Sequence, residues 1–68
     1  MAAQRRIYTV NTTDERYRLN VREEPSLSAR VIAHFSYGEK VRIDPKADTP
    51  DGWKAVESGG FVMAQYLK

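Results

Sequence analysis

The chain has no cysteine and a single histidine, His34. The first absence excludes disulfides and thiolate metal centres. A lone histidine cannot build a zinc site of the usual Cys/His kind. A chain of 68 residues buries only about 60% of the surface its unfolded form exposes. Small domains of this size commonly gain a disulfide or metal staple, and neither is available. Stability must therefore come from well-paired architecture or from a partner. Long apolar runs are also missing. No segment approaches the ~20 residues of a membrane span, and residues 1–22 lack the apolar stretch of ~7–15 residues of a secretory signal. No membrane insertion is expected. The missing cysteine fits any compartment, so location stays open: cell wall or outside the cell as part of a larger secreted protein, cytoplasm if the chain is complete.

Signatures of catalysis are absent as well. There is no G-x-S-x-G elbow for a nucleophile and no Gly-rich Lys-Ser/Thr loop to cradle phosphates. Glu23 and Glu24 are neighbours on an extended segment, so their side chains diverge. An acid/base pair needs two carboxyls that converge on one bond. The reading is a protein that is not an enzyme and needs no cofactor or metal. His34 reads as a structural residue. Asn11-Thr12-Thr13 fits a glycosylation sequon, a pattern short enough to arise by chance.

The charge is uneven. The net is +2, yet residues 1–22 hold five arginines (Arg5, Arg6, Arg16, Arg18, Arg22) against Asp14 and Glu15. The remainder, with six basic and seven acidic residues, is slightly acidic. A basic stretch with Tyr8 and Tyr17 interleaved suits an anionic polymer, but Asp14 and Glu15 interrupt it. A nucleic-acid binder shows a clearer basic face, so nucleic acid is not the expected partner. Charged side chains on a solvated face account for the same pattern.

What the chain does have is a period of two. Arg18-Leu19-Asn20-Val21-Arg22 and Lys40-Val41-Arg42-Ile43-Asp44 alternate polar and apolar residues. That predicts half-buried strands with Leu19, Val21, Val41 and Ile43 inward. Ile7–Val10, 53–57 and 60–63 read as further strands. The run 31–35 is apolar on both faces apart from His34, which predicts a strand covered on both sides. Pro25 with Ser26 and Ser28, Tyr37-Gly38-Glu39, the longer loop 45–52 and Ser58-Gly59 separate the runs. Short strands at this spacing, in so few residues, predict an all-β fold: a small, partly open barrel that hides its strand edges. Residues 1–6 read as a flexible tail, and 7–68 as one domain.

Leu19-Asn20-Val21-Arg22, Pro25-Ser26, Val31-Ile32, Gly38-Glu39-Lys40-Val41, Gly52-Trp53, Gly60-Phe61-Val62 and Gln65-Tyr66-Leu67 follow one another in this order. The series resembles the bacterial Src-homology-3 domain over nearly the whole chain, from about Tyr8 to Leu67. The chain departs from that pattern in three places. Residues 11–16 look like an insertion, the 57–60 hairpin is short, and Glu23-Glu24 stands where Ser-Gly is common. The resemblance implies a five- or six-stranded barrel with a short 3₁₀ turn near residues 64–66, and a non-catalytic binding module. Such modules target peptidoglycan or its peptides, or hold protein partners inside the cell. A monomer is expected.

Five aromatic residues are the candidates for ligand contact. Trp53 follows the 45–52 loop, and alternation sets it on the face opposite Val56; it forms either the rim of a groove or a lid on the core. Flat aromatic surfaces bind peptides and sugars at low entropic cost. The resemblance assigns Tyr66 to the groove-lining tyrosine of the closing turn, where it is either a groove wall or a core cap. Met63 replaces the proline of that turn, which removes one wall of a polyproline pocket and disfavours that ligand. Tyr8, Tyr17 and Tyr37 are weaker candidates, informative only if they cluster with Trp53 and Tyr66.

Overall fold

A computed structural model describes residues 5–68. The alternating runs become six short strands in chain order: β1 (Ile7–Thr9), β2 (Leu19–Arg22), β3 (Val31–Phe35), β4 (Lys40–Arg42), β5 (Trp53–Ala55) and β6 (Phe61–Met63). One 3₁₀ turn, Ala64–Tyr66, follows β6. The fold is all-β. Two antiparallel sheets form, β1-β4 and β3-β2-β6-β5. They meet at the isolated bridge Ile43↔Val56, and a second bridge, Val10↔Leu67, ties the end of β1 to the segment after the turn. The sheets enclose one core without closing into a continuous barrel.

The period of two places the core where alternation predicts it. Leu19 and Val21 of β2, Val41 of β4, and Ile43, Val56 and Val62 are buried, together with Val10. Polar neighbours such as Asn20, Lys40 and Arg42 point outward. Tyr8, Phe35, Tyr66 and Leu67 pack against the rim of this cluster. Valine dominates because two short sheets at close approach leave room for β-branched side chains and little else.

The strand β3 departs from expectation. Its apolar run predicted cover on both sides, but Val31 through His34 are exposed, and only Phe35 is half-buried. The reason is position. Among the described residues β3 is the terminal strand of its sheet, with β2 as its one partner, and no other element is laid over it.

The start of the domain is tied down from Arg5 onward. The Ile43 N–H donates to the Arg6 carbonyl at 2.8 Å, and Arg5 Nη2 donates to the Lys68 carbonyl at 2.7 Å. Residues 1–4 of the expected tail lie outside the described residues. The turns follow their glycines. Gly38 has φ +83° between β3 and β4, and Gly60 has φ +85° at the start of β6.

Gly60 is the tighter of the two. A Cβ there would lie 2.5 Å from Val21 Cγ1, 3.0 Å from Ile32 Cδ1 and 3.1 Å from the Arg22 carbonyl. At Gly38 a Cβ would meet nothing within 4 Å. Gly60→Ala is therefore expected to add core displacement to backbone strain and cost about 3 kcal/mol. Gly38→Ala is expected to cost strain alone, about 1 kcal/mol. Thermal unfolding followed by circular dichroism checks the difference; equal losses would refute the Val21–Gly60 contact.

Candidate functional site

A groove of about 290 Å³ runs between the loop preceding β2 and the 3₁₀ turn. Tyr17 and Tyr66 line it together with Met63, Leu27, Arg18 and Arg22. Each wall has a local cause. Thr12, the one buried polar residue among those described, sets its hydroxyl 3.0 Å from the Asp14 carbonyl and 2.9 Å from the Tyr17 carbonyl. The Tyr17 N–H in turn donates to the Asp14 carbonyl at 2.9 Å. The loop is thereby fixed at both ends, while the Tyr17 side chain stays 58% exposed.

Arg16 reinforces this turn. Its Nε and Nη2 donate to the two carboxylate oxygens of Asp14 at 3.0 and 3.1 Å, and its backbone N–H donates to Oδ1 at 2.8 Å. This forked arrangement is the strong form of charge-assisted hydrogen bond. The Arg16 side chain, followed by its backbone N–H, holds the Asp14 carboxyl below its ordinary range. Asp14 raises the Arg16 guanidinium in return.

The opposite wall is built on the turn at the chain's end. The Ala64 N–H donates to the Gly52 carbonyl at 2.8 Å, and the Leu67 N–H closes the turn on the Ala64 carbonyl at 3.0 Å. The Asn11 N–H donates to the Tyr66 carbonyl at 2.7 Å, which joins the two walls directly. Tyr66 is half-buried: it serves as groove wall and core cap at once. On the third side, Arg22 Nη1 donates to the carbonyls of Leu27 and Ala29, both at 2.9 Å. That pins the 23–30 loop and leaves Leu27 65% exposed at the groove edge.

Trp53 does not line the groove. It stands opposite Met63 in the β5–β6 ladder, so the two share one face of the sheet. Met63 lines the groove and is thus the groove residue that stands across the ladder from Trp53. Trp53 is half-buried, and its carbonyl accepts from Thr49 Oγ1 at 2.9 Å. Tyr8 lies elsewhere, in a hollow of about 250 Å³ with Asp44, Pro45 and Lys54. Arg5 stacks over its ring at 4.3 Å, with Lys54 Nζ at 5.9 Å. Tyr37 is exposed in the β3–β4 turn, its hydroxyl 3.5 Å from Asn11 Oδ1. A third, shallower hollow of about 590 Å³ is bordered by Ile7, Phe35, Lys40 and Arg42; none of the five aromatic candidates lines it.

The arginines likewise separate. Arg5 serves Tyr8, Arg16 serves Asp14, and Arg22 serves the 23–30 loop. Arg18 lies in the groove with no ion pair among the described residues. No carboxylate lines the groove, so Arg18 and Arg22 give it positive character. Among the described residues no cluster of three or more His, Cys, Asp or Glu could hold a metal ion, and no helix is long and apolar enough to cross a membrane.

Two parts of the groove escaped the sequence reading. Leu27 sits in a Ser-rich loop, which gave no reason to single it out. Thr12 belongs to the segment read as an insertion, and a buried threonine in a polar loop carries no periodic signal. Arg18 and Arg22 were visible as charge, but not as neighbours of Tyr17 and Tyr66. Comparison of the chain with models of protein families, with curated proteins and with solved structures finds no match in any of the three.

The Asp14–Arg16 pairing sets a direction with pH. A carboxyl whose folded pKa is lowered adds stability above its unfolded pKa, and that contribution is lost as pH falls through the folded value. The turn that carries Tyr17 is thus expected to hold through the ordinary carboxylate range and to loosen only in stronger acid. An NMR titration should find Asp14 ionising below ordinary carboxyls, and Arg16→Gln should move it part of the way back, since the backbone N–H bond to Oδ1 remains. An unchanged Asp14 titration in that variant would count against the fork.

Proposed function

We propose that the chain is a non-catalytic binding module of the bacterial Src-homology-3 type. It holds an extended, acidic peptide or glycan-peptide, with bacterial cell-wall peptide as the ligand, in the groove between Tyr17 and Tyr66. The observation that carries this reading is the pairing of those two tyrosines with Arg18 in a groove that has no carboxylate. Exposed aromatic faces supply stacking area, and an unpaired guanidinium recognises a carboxylate in bidentate fashion.

The order of the elements supports the family reading. A hairpin of β2 and β3 precedes three strands, and a 3₁₀ turn closes the chain beside the groove. The matched motifs fall on these elements: Leu19-Asn20-Val21-Arg22 forms β2, Gly52-Trp53 opens β5, and Gln65-Tyr66 lies in the turn. Nucleic acid fits less well, because Arg5 and Arg16 are engaged at Tyr8 and Asp14 and only Arg18 and Arg22 line the groove.

A groove of this size removes little surface from water, so the affinity of one module should be modest. Tethering within a larger protein would make such weak binding useful. Purified cell-wall sacculi are expected to sediment the protein at low and physiological salt. Tyr17→Ala and Arg18→Glu should each reduce the bound fraction about tenfold or more. Trp53→Ala should have a smaller effect, since Trp53 does not line the groove. If the unmodified protein stays in the supernatant, the cell-wall ligand is wrong, and an acidic segment of a protein partner becomes the reading to test.

A further inference from the structure

Strand β3 ends the four-stranded sheet, and among the described residues β2 is its one partner. Its other edge presents free backbone donors and acceptors. Folded proteins usually blunt such an edge with lysine, proline, short length or a covering segment. Here the strand reads Val31-Ile32-Ala33-His34-Phe35, with no lysine, proline or carboxylate. Val31 is 37% exposed and Ile32 46%. The register step against β2 falls between Val21 and Arg22, which makes Ile32 the extra residue and leaves Ala33–Phe35 regular. The bulge at Ile32 limits the regular edge to Ala33–Phe35, which carries no charge and stays open to pair.

The two ends of β3 carry opposite charge. Arg30 immediately precedes the strand and is exposed. At the other end the Ser36 N–H donates to Glu39 Oε1 at 2.8 Å, so the Glu39 carboxylate is folded back onto the strand terminus. A strand that is positive at its start and negative at its end complements itself when turned end for end.

We infer that a second copy of this chain pairs antiparallel along the regular end of β3, about a two-fold axis at His34. In that register Ala33 stands opposite Phe35 of the second copy. The Arg30 end of each strand then lies against the Ser36 end of the other, where the Glu39 carboxylate is held. Two-fold symmetry makes the charge contact twice, whereas a parallel arrangement would set Arg30 against Arg30. The two four-stranded sheets become one sheet of eight. A monomer is the expectation from the sequence; the open edge is what changes that. The groove is lined from β2, β6, the 23–30 loop and the loop before β2, so pairing at β3 leaves it open. A dimer would carry two grooves and gain avidity on a repeating polymer, although the pairing does not depend on what the groove holds.

An interface built on one short strand is small, so association should be weak. Sedimentation equilibrium of the full chain between about 10 µM and about 1 mM is expected to show a reversible monomer–dimer equilibrium. Arg30→Glu should weaken the dimer about tenfold, and adding Glu39→Arg to it should recover most of the loss. Ile32→Lys should abolish pairing while the circular dichroism spectrum is kept. Arg30→Glu lies on the surface and serves as the deciding variant if Ile32→Lys disturbs the contact with Gly60. A protein that is monomeric over the whole range, or a dimer indifferent to Arg30→Glu, overturns the proposal.

Discussion

The contact between Val21 and Gly60 is the constraint on which the domain depends. β2 reaches β6 through a single paired position, Arg22 with Phe61. The approach is close enough that a methyl group at Gly60 would overlap Val21. This one crossing joins the β2–β3 hairpin to β5 and β6, and so brings the loop that carries Tyr17 against the turn that carries Tyr66. With no cysteine for a disulfide, fit between small aliphatic side chains has to clamp the sheets. Interiors are packed densely enough that a single methylene is felt, and a core of seven buried aliphatic residues has little with which to compensate.

The same economy explains the groove and the open edge. Tyr66 caps the core with one part of its ring and walls the groove with another, because a domain this small has too few large side chains to separate the two tasks. Polar groups do the remaining work of positioning. Thr12 and Asp14 shape one wall, and Arg22 holds the loop that forms the side bearing Leu27. Among the described residues no element covers the free side of β3, and the apolar residues Val31 and Ile32 stay at the surface.

Much of this was legible in the sequence. Alternation at 18–22 and 40–44 identified Leu19, Val21, Val41 and Ile43 as core, because a half-buried strand imposes a period of two that no other element shares. The glycine turns and the tight 58–59 hairpin followed from local backbone chemistry. The reading failed where the cause is non-local. The run 31–35 carries the same residues whether a strand is central or at an edge, and only pairing order distinguishes the two. Tyr17 and Tyr66 lie 49 positions apart and are held by the Asn11 backbone N–H and the Thr12 hydroxyl, from residues with no periodic signal. Tyr8 and Tyr37, weaker candidates alongside Tyr17, were carried to other parts of the surface by β1 and the β3–β4 turn.

The central claim is that the ligand lies between Tyr17 and Tyr66. The most direct measurement is a ¹H–¹⁵N NMR titration of the protein with soluble, carboxylate-bearing cell-wall peptide fragments. The account predicts shift changes concentrated at residues 12–20 and 63–66 with a weaker response at Trp53, and a loss of the response in Arg18→Glu. Changes centred on Tyr8, Asp44 and Lys54, or along β1 and β4, would contradict it.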